Sequence, residues 1–155
     1  MISPEALKRY VFFGRLDSVQ LKALAMIANE ETYPAGAVVF EERTPANHLY
    51  LLMDGGIDLS YKSAEEYHPK SSKVFAVGEV NPEEVFGVSA VIEPYIYSAT
   101  AMTSQAVRVI VIDAEALRQL IQNDPGFGFA MMSQIARVVY ERLAYTRVQL
   151  AAAWA

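Results

Sequence analysis

Hydrophobic and polar positions divide the chain into three blocks: a short helical lead, a strand-rich middle and a helical end. In the lead, Leu21, Leu24, Ala25 and Ala28 keep helical spacing behind Asp17. Asp17 can cap, Gln20 stands three residues on as in a capping box, and Leu16 with Leu21 makes a hydrophobic staple. From Glu31 to Asp113 the period changes to that of strands. Ala37–Phe40, His48–Met53, Ile57–Tyr61, Val74–Val80, Ala99–Thr103 and Ala106–Ile112 read as short strands with turn residues between them. Tyr33-Pro34-Ala35-Gly36 is a turn, Asp54-Gly55-Gly56 predicts a tight hairpin, and Lys62–Ser72 reads as a solvated loop at a hairpin end. Strands this short and regularly spaced imply a barrel, roll or sandwich.

The end block opens where Asp113 caps a helix over Ala114–Gln122, with Ile112 and Leu117 as its staple. Asn123-Asp124-Pro125 stops that helix and starts another, with Asp124 as cap and Pro125 at the first helical position. The last helix is expected from about Phe127 towards Ala153. Met132, Ala136, Val139, Leu143, Thr146, Leu150 and Ala153 recur along it at spacings of four and three, a heptad seam. A second apolar strip, Ile135, Val138 and Tyr145, lies beside the seam. One strip can pack on the domain's own β core. A helix of about 40 Å overhangs a domain of this size, so the other strip predicts a partner helix, most simply in a two-fold homodimer. Arg137, Glu141, Arg142 and Arg147 flank the seam and can set its register.

Composition bounds the function. A chain of 155 residues is the size of one domain, read here as 1–155 with a lead over 1–30, a β-roll over 31–113 and C-terminal helices over 114–155. A net charge of −5, with no basic cluster, argues against a direct nucleic-acid partner. No apolar run approaches a membrane span and the start lacks the order of a secretory signal. The absence of cysteine excludes disulfides and iron–sulfur ligation and makes a cytoplasmic location the expectation. His48 and His68, each beside a hairpin in polar company, read as solvated side chains rather than haem or metal ligands. Asp54, Asp58, Glu65, Glu66, Glu83 and Glu84 show no spacing with His or Ser that makes an acid/base or nucleophile set, so no enzyme and no cofactor are expected.

The stretch Phe86–Thr100, FGVSAVIEPYIYSAT, sharpens this picture. Phe86-Gly87 enters a short apolar turn, and Ser98-Ala99-Thr100 opens a strand. Gly36 precedes Val39-Phe40, Leu49–Gly55 (LYLLMDG) forms the next segment, and Arg118–Gln122 with Pro125, Gln134, Ala136 and Arg137 follows. In that order these residues resemble the cyclic-nucleotide-binding domain of catabolite-activator and FNR-type regulators, from Phe12 to about Leu150. The resemblance implies an α+β, mainly β fold: an antiparallel β-roll of the jelly-roll type with short N-terminal helices and a long C-terminal dimerisation helix.

It also implies a ligand site with a cassette at Gly87, Val88, Ser89, Tyr97 and Ser98, in which Val88 stands where the family has Glu and Tyr97 where it has Arg. Val88 cannot accept from a ribose hydroxyl; Tyr97 can donate to a phosphate but brings no charge. Arg142, at a purine-reading position on the last helix, is the candidate replacement cation, or else a solvated helix-surface side chain. Tyr95 and Tyr97 either line a stacking pocket or pack as ordinary strand aromatics. Arg43 and Glu83 stand where the family has glycine. The resemblance thus implies a dimeric regulatory module for which ordinary cyclic AMP is a weak ligand or none, with another small anion or a protein partner in its place. The alternative is the effector part of a Crp/FNR-type regulator whose helix-turn-helix lies beyond this chain.

Overall fold

In the computed structural model, which describes residues 2–63 and 73–155, the local caps form as the sequence dictates. Ser3 caps helix α1 (Pro4–Lys8), which leads through a 3-10 turn at Val11–Phe13 to α2 (Ser18–Met26). There the Asp17 carboxylate accepts from the Gln20 N–H at 2.8 Å, and Gln20 Oε1 accepts from the Asp17 N–H at 3.0 Å, completing the capping box. Asp113 caps α3 (Ala114–Asn123) by accepting from the Ala116 N–H, and Asp124 caps α4 (Pro125–Ala153) by accepting from the Phe127 N–H. Polar partners three residues apart make all these caps, so they need no tertiary context.

Among the described residues eight strands lie between α2 and α3: β1 (Ala28–Tyr33), β2 (Val38–Phe40), β3 (His48–Asp54), β4 (Ile57–Lys62), β5 (Val74–Val80), β6 (Val85–Phe86), β7 (Thr100–Thr103) and β8 (Val107–Asp113). They form two four-stranded antiparallel sheets, ordered β1-β8-β3-β6 and β2-β7-β4-β5. The fold is the expected jelly-roll with a long C-terminal helix. β8 lies between β1 and β3, and its run Val109–Ile112 is buried throughout. Phe13, Leu24, Leu49, Leu51, Leu52, Ile57, Phe86, Leu117 and Phe127 complete the core.

Two expectations change. β1 begins at Ala28 rather than Glu31 and pairs residue for residue with β8, from Ala28 on Ile112 to Tyr33 on Val107. The second concerns Asp54-Gly55-Gly56, which is a corner between the sheets rather than a hairpin: β3 pairs with β8 and β6, β4 with β7 and β5. Of its two glycines only Gly55, at φ 99°, is left-handed. The hairpin proper joins β4 to β5, and most of the loop read as Lys62–Ser72 lies outside the described residues, with Glu65, Glu66 and His68.

Arg43 and Glu83 both keep a left-handed backbone, at φ 65° and 77°. Glu83 follows Pro82 in a turn closed by the Glu84 N–H donating to the Asn81 carbonyl at 3.1 Å, where position i+2 calls for positive φ. The Glu83 side chain is exposed, so removing it forfeits little packing. Glu83→Gly should raise stability by about 0.5–1 kcal/mol, the left-handed strain less the unfolded-state entropy of glycine. A lower urea midpoint for this variant would contradict that account.

Candidate functional site

The cassette begins at Gly87, left-handed at φ 75°, and turns through a 3-10 segment, Val88–Val91, with Ala90 buried beneath it. The segment leads back by an irregular stretch to Ser98, Ala99 and β7. Opposite, α4 lies along β5: Arg142 Nη1 donates to the Glu79 carbonyl at 3.1 Å and Gln149 Nε2 to the Ala76 carbonyl at 3.3 Å. Between the cassette, the second sheet and α4 is a cavity of about 390 Å³, within the range of roughly 300–1,000 Å³ typical of small-molecule sites. The six residues singled out in the sequence, Gly87, Val88, Ser89, Tyr97, Ser98 and Arg142, all line it.

The wall is otherwise mostly apolar. Phe40, Leu59, Val77, Val85, Phe86, Ala99, Val138 and Val139 contribute to it. Sequence reasoning placed Phe86 and Ala99 in the cassette segment but gave Val138 and Val139 to the apolar strips of the last helix. It attached Phe40, Leu59, Val77 and Val85 to no site, because each reads simply as a core or strand residue. Gly78 in β5 carried a signal, since a glycine inside a strand marks a bulge or a close approach. A register shift in the β4–β5 pairing lies next to it, and the Arg142 guanidinium rests over it.

Tyr97 differs from its expected role. Its ring is 4% exposed and stacks on Phe40 at 3.8 Å between centroids with 13° between planes. Phe40 continues the stack to Tyr50 and Phe86. The Tyr97 hydroxyl donates to the His48 carbonyl at 2.6 Å and accepts from the His48 N–H at 3.2 Å. The expectation that this hydroxyl donates to a phosphate is therefore corrected: its proton is already committed to β3. Burial pushes the phenol pKa up, so the group stays neutral in the ordinary pH range.

Tyr95 does not line the cavity. It is left-handed at φ 61° and lies under Arg118, whose Cζ sits 3.8 Å from the ring centroid. Arg118 also donates to the carbonyls of Ala90 at 2.8 Å and Ala46 at 3.0 Å, tying α3 to the cassette turn. This bracing role was not legible in the sequence.

Arg142 is not the solvated surface side chain of the alternative reading but half-buried against β5. Burial lowers its pKa, while the nearby carboxylates of Glu84 and Glu141 oppose that shift. Among the described residues it is the cation on the cavity wall, and no carboxylate lines the same wall. Leu143, its neighbour on α4, turns away and is 46% exposed.

On α4, Phe127, Met131, Gln134 and Ile135 are buried against the domain. The heptad seam is only partly free: Met132 packs half-buried on the core, Val139 and Thr146 also line the cavity, and Ala136, Leu143 and Leu150 are exposed, the two leucines at 46% and 58%. Among the described residues no group of His and carboxylates is arranged to hold a metal ion, and no helix is long and apolar enough to cross a membrane.

Residues 30–124 match the family described as the cyclic nucleotide-binding domain. Over 147 residues, 95% of its length, the chain is 26% identical to a CRP-like cAMP-activated global transcriptional regulator of Mycobacterium tuberculosis, and it spans 61% of that relative. Among solved structures it is similar to a Geobacter metallireducens protein assigned to the cyclic nucleotide-binding proteins, with 38% identity and a TM-score of 0.79 over 92% of this chain and 99% of that one. The regulatory subunit of a cAMP-independent protein kinase A from Trypanosoma brucei shares the fold at a TM-score of 0.73 and 13% identity, over 93% of this chain and 48% of that one.

Proposed function

The chain belongs to the cyclic nucleotide-binding domain family, and from that premise we propose that it is a non-catalytic regulatory module whose site has lost its affinity for ordinary cyclic AMP. The observation that carries this reading is Tyr97: where the family places its phosphate-pairing Arg, this chain has a neutral ring stacked on Phe40 with its hydroxyl spent on His48. Val88 adds an apolar group where a ribose acceptor is needed. A hydrogen bond to a charged group contributes about 1.5–3 kcal/mol and a neutral one about 1. Losing both therefore weakens binding by about 3–4 kcal/mol, a few hundredfold. Calorimetry against cyclic mono- and dinucleotides tests the reading, and micromolar affinity for cyclic AMP would refute it.

The same reading makes the module a homodimer through α4. Apolar side chains at Leu143 and Leu150 stand exposed along one seam of α4 and support it. In an isologous pair each substitution acts twice. Leu143→Glu is therefore expected to raise the dimer dissociation constant by about a hundredfold or more, since burying each leucine contributes about 1.5–3 kcal/mol. Sedimentation checks this, and a wild-type chain that stays monomeric at high micromolar concentration rules the dimer out. The single domain over 1–155 and a cytoplasmic location belong to the same proposal.

A second reading, the effector part of a CRP-like transcriptional regulator, is supported by the Mycobacterium tuberculosis relative, of which this chain spans 61%. A reading frame that continues into a helix-turn-helix segment would decide for it.

A further inference from the structure

Arg142 is seated where β5 gives up a side chain. A Cβ at Gly78 would stand 2.6 Å from Arg142 Nη1, and Gly78 has no positive φ, so what gives the guanidinium its present seat is the missing side chain rather than a special backbone conformation. The seat leaves the guanidinium incompletely used. Nη1 donates to the Glu79 carbonyl, while among the described residues Nε and Nη2 make no hydrogen bond and the side chain forms no salt bridge. The free Nε–Nη2 edge has the two-pronged shape that a carboxylate matches.

The two sides of this arginine differ sharply. On one side a chamber of about 430 Å³ carries Glu79, Glu83, Glu84 and Glu141 on its wall, a field that repels anions. On the other is the apolar cavity, without a carboxylate among its described lining residues and with Phe40, Phe86 and Tyr97 among those that line it. A ribose or purine entering that cavity would leave polar groups unpaired against Val88 and Val138, which is costly. A flat hydrocarbon body would not. One acidic group is enough to use the free edge of Arg142.

On the reading of a nucleotide site that has lost its usual ligand, we infer that the cavity binds an organic monoanion with an aromatic body, its carboxylate received by Arg142. The body packs against the Phe40–Tyr97 stack and the acid lies across the Nε–Nη2 edge. Ser89 and Ser98, on the cassette side, flank the body without contributing charge.

Calorimetry on the full chain with naphthoate and its uncharged counterpart naphthylmethanol tests this, with cyclic AMP run in parallel. Naphthoate is expected to bind about ten- to a hundredfold more tightly than the alcohol, the worth of a hydrogen bond to a charged group. In Arg142→Gln that preference should fall to about parity while the alcohol's binding is unchanged. Arg142→Lys, which keeps the charge but loses the fork, should retain part of it. Gly78→Ala, which keeps the arginine but displaces its guanidinium from the seat, should weaken naphthoate alone. No binding of naphthoate up to about 1 mM, or a preference that survives both Arg142 variants, would overturn the inference. Micromolar binding of cyclic AMP breaks the underlying reading instead, whatever naphthoate does.

Discussion

On the proposed reading of the cassette, the double substitution Val88→Glu with Tyr97→Arg should cost about 3–5 kcal/mol of stability and create no micromolar site for cyclic AMP. The loss comes from Tyr97. Its ring leaves the stack on Phe40, which forfeits buried area and about 0.5–1.5 kcal/mol of aromatic pairing. The His48 N–H and carbonyl lose the hydroxyl that serves both, and an unpaired buried polar group costs about 1–3 kcal/mol. An arginine that turns into the cavity escapes the stack but still leaves that hole behind. Val88 is half-buried at the cavity wall, so Val88→Glu alone is expected to be the milder change. Urea unfolding separates the two contributions and calorimetry reads the ligand. A double variant as stable as the parent that binds cyclic AMP tightly would show that Tyr97 merely occupies an otherwise intact phosphate site.

The second large effect belongs to the corner between the sheets. Gly55→Ala is expected to destabilise the fold by about 3–5 kcal/mol. At φ 99° the backbone lies beyond even the left-handed helical well that other residues enter at a cost. The added Cβ would also collide with the Ala106 carbonyl oxygen and stand 2.7 Å from Val107 Cγ1, at the entry to the central strand β8. Neither obstacle is the end of a flexible side chain, so relief requires moving β8 itself. Thermal unfolding with far-ultraviolet circular dichroism reads the result, and a midpoint within experimental error of the parent would show the corner to be soft.

How far the sequence reaches follows from the separation of the interacting groups. The caps at Asp17, Asp113 and Asp124 were legible because donor and acceptor are three residues apart. Most strands were legible from their patterning. β1 and β6 were not. β1 (ANEETY) carries polar side chains on an exposed face, and β6 is only two residues long; both exist because β8 and β3 offer partners. The Asp54-Gly55-Gly56 corner has the composition of a hairpin turn, and only the partners already taken by β3 and β4 exclude that pairing.

By itself the sequence determined the fold family and the frame of the cassette, with Val88 and Tyr97 inside it, since these reside in residue identity at ordered positions. It also determined a helix with one more apolar strip than a single domain buries. Tertiary structure alone decided what the substitutes do. The Tyr97 hydroxyl meets His48 across 49 residues of chain, and Arg142 meets Glu79 across 63. Contacts at such separations depend on how the sheets and α4 pack together. No local pattern encodes which way a tyrosine ring or a guanidinium will turn when several buried partners compete for it.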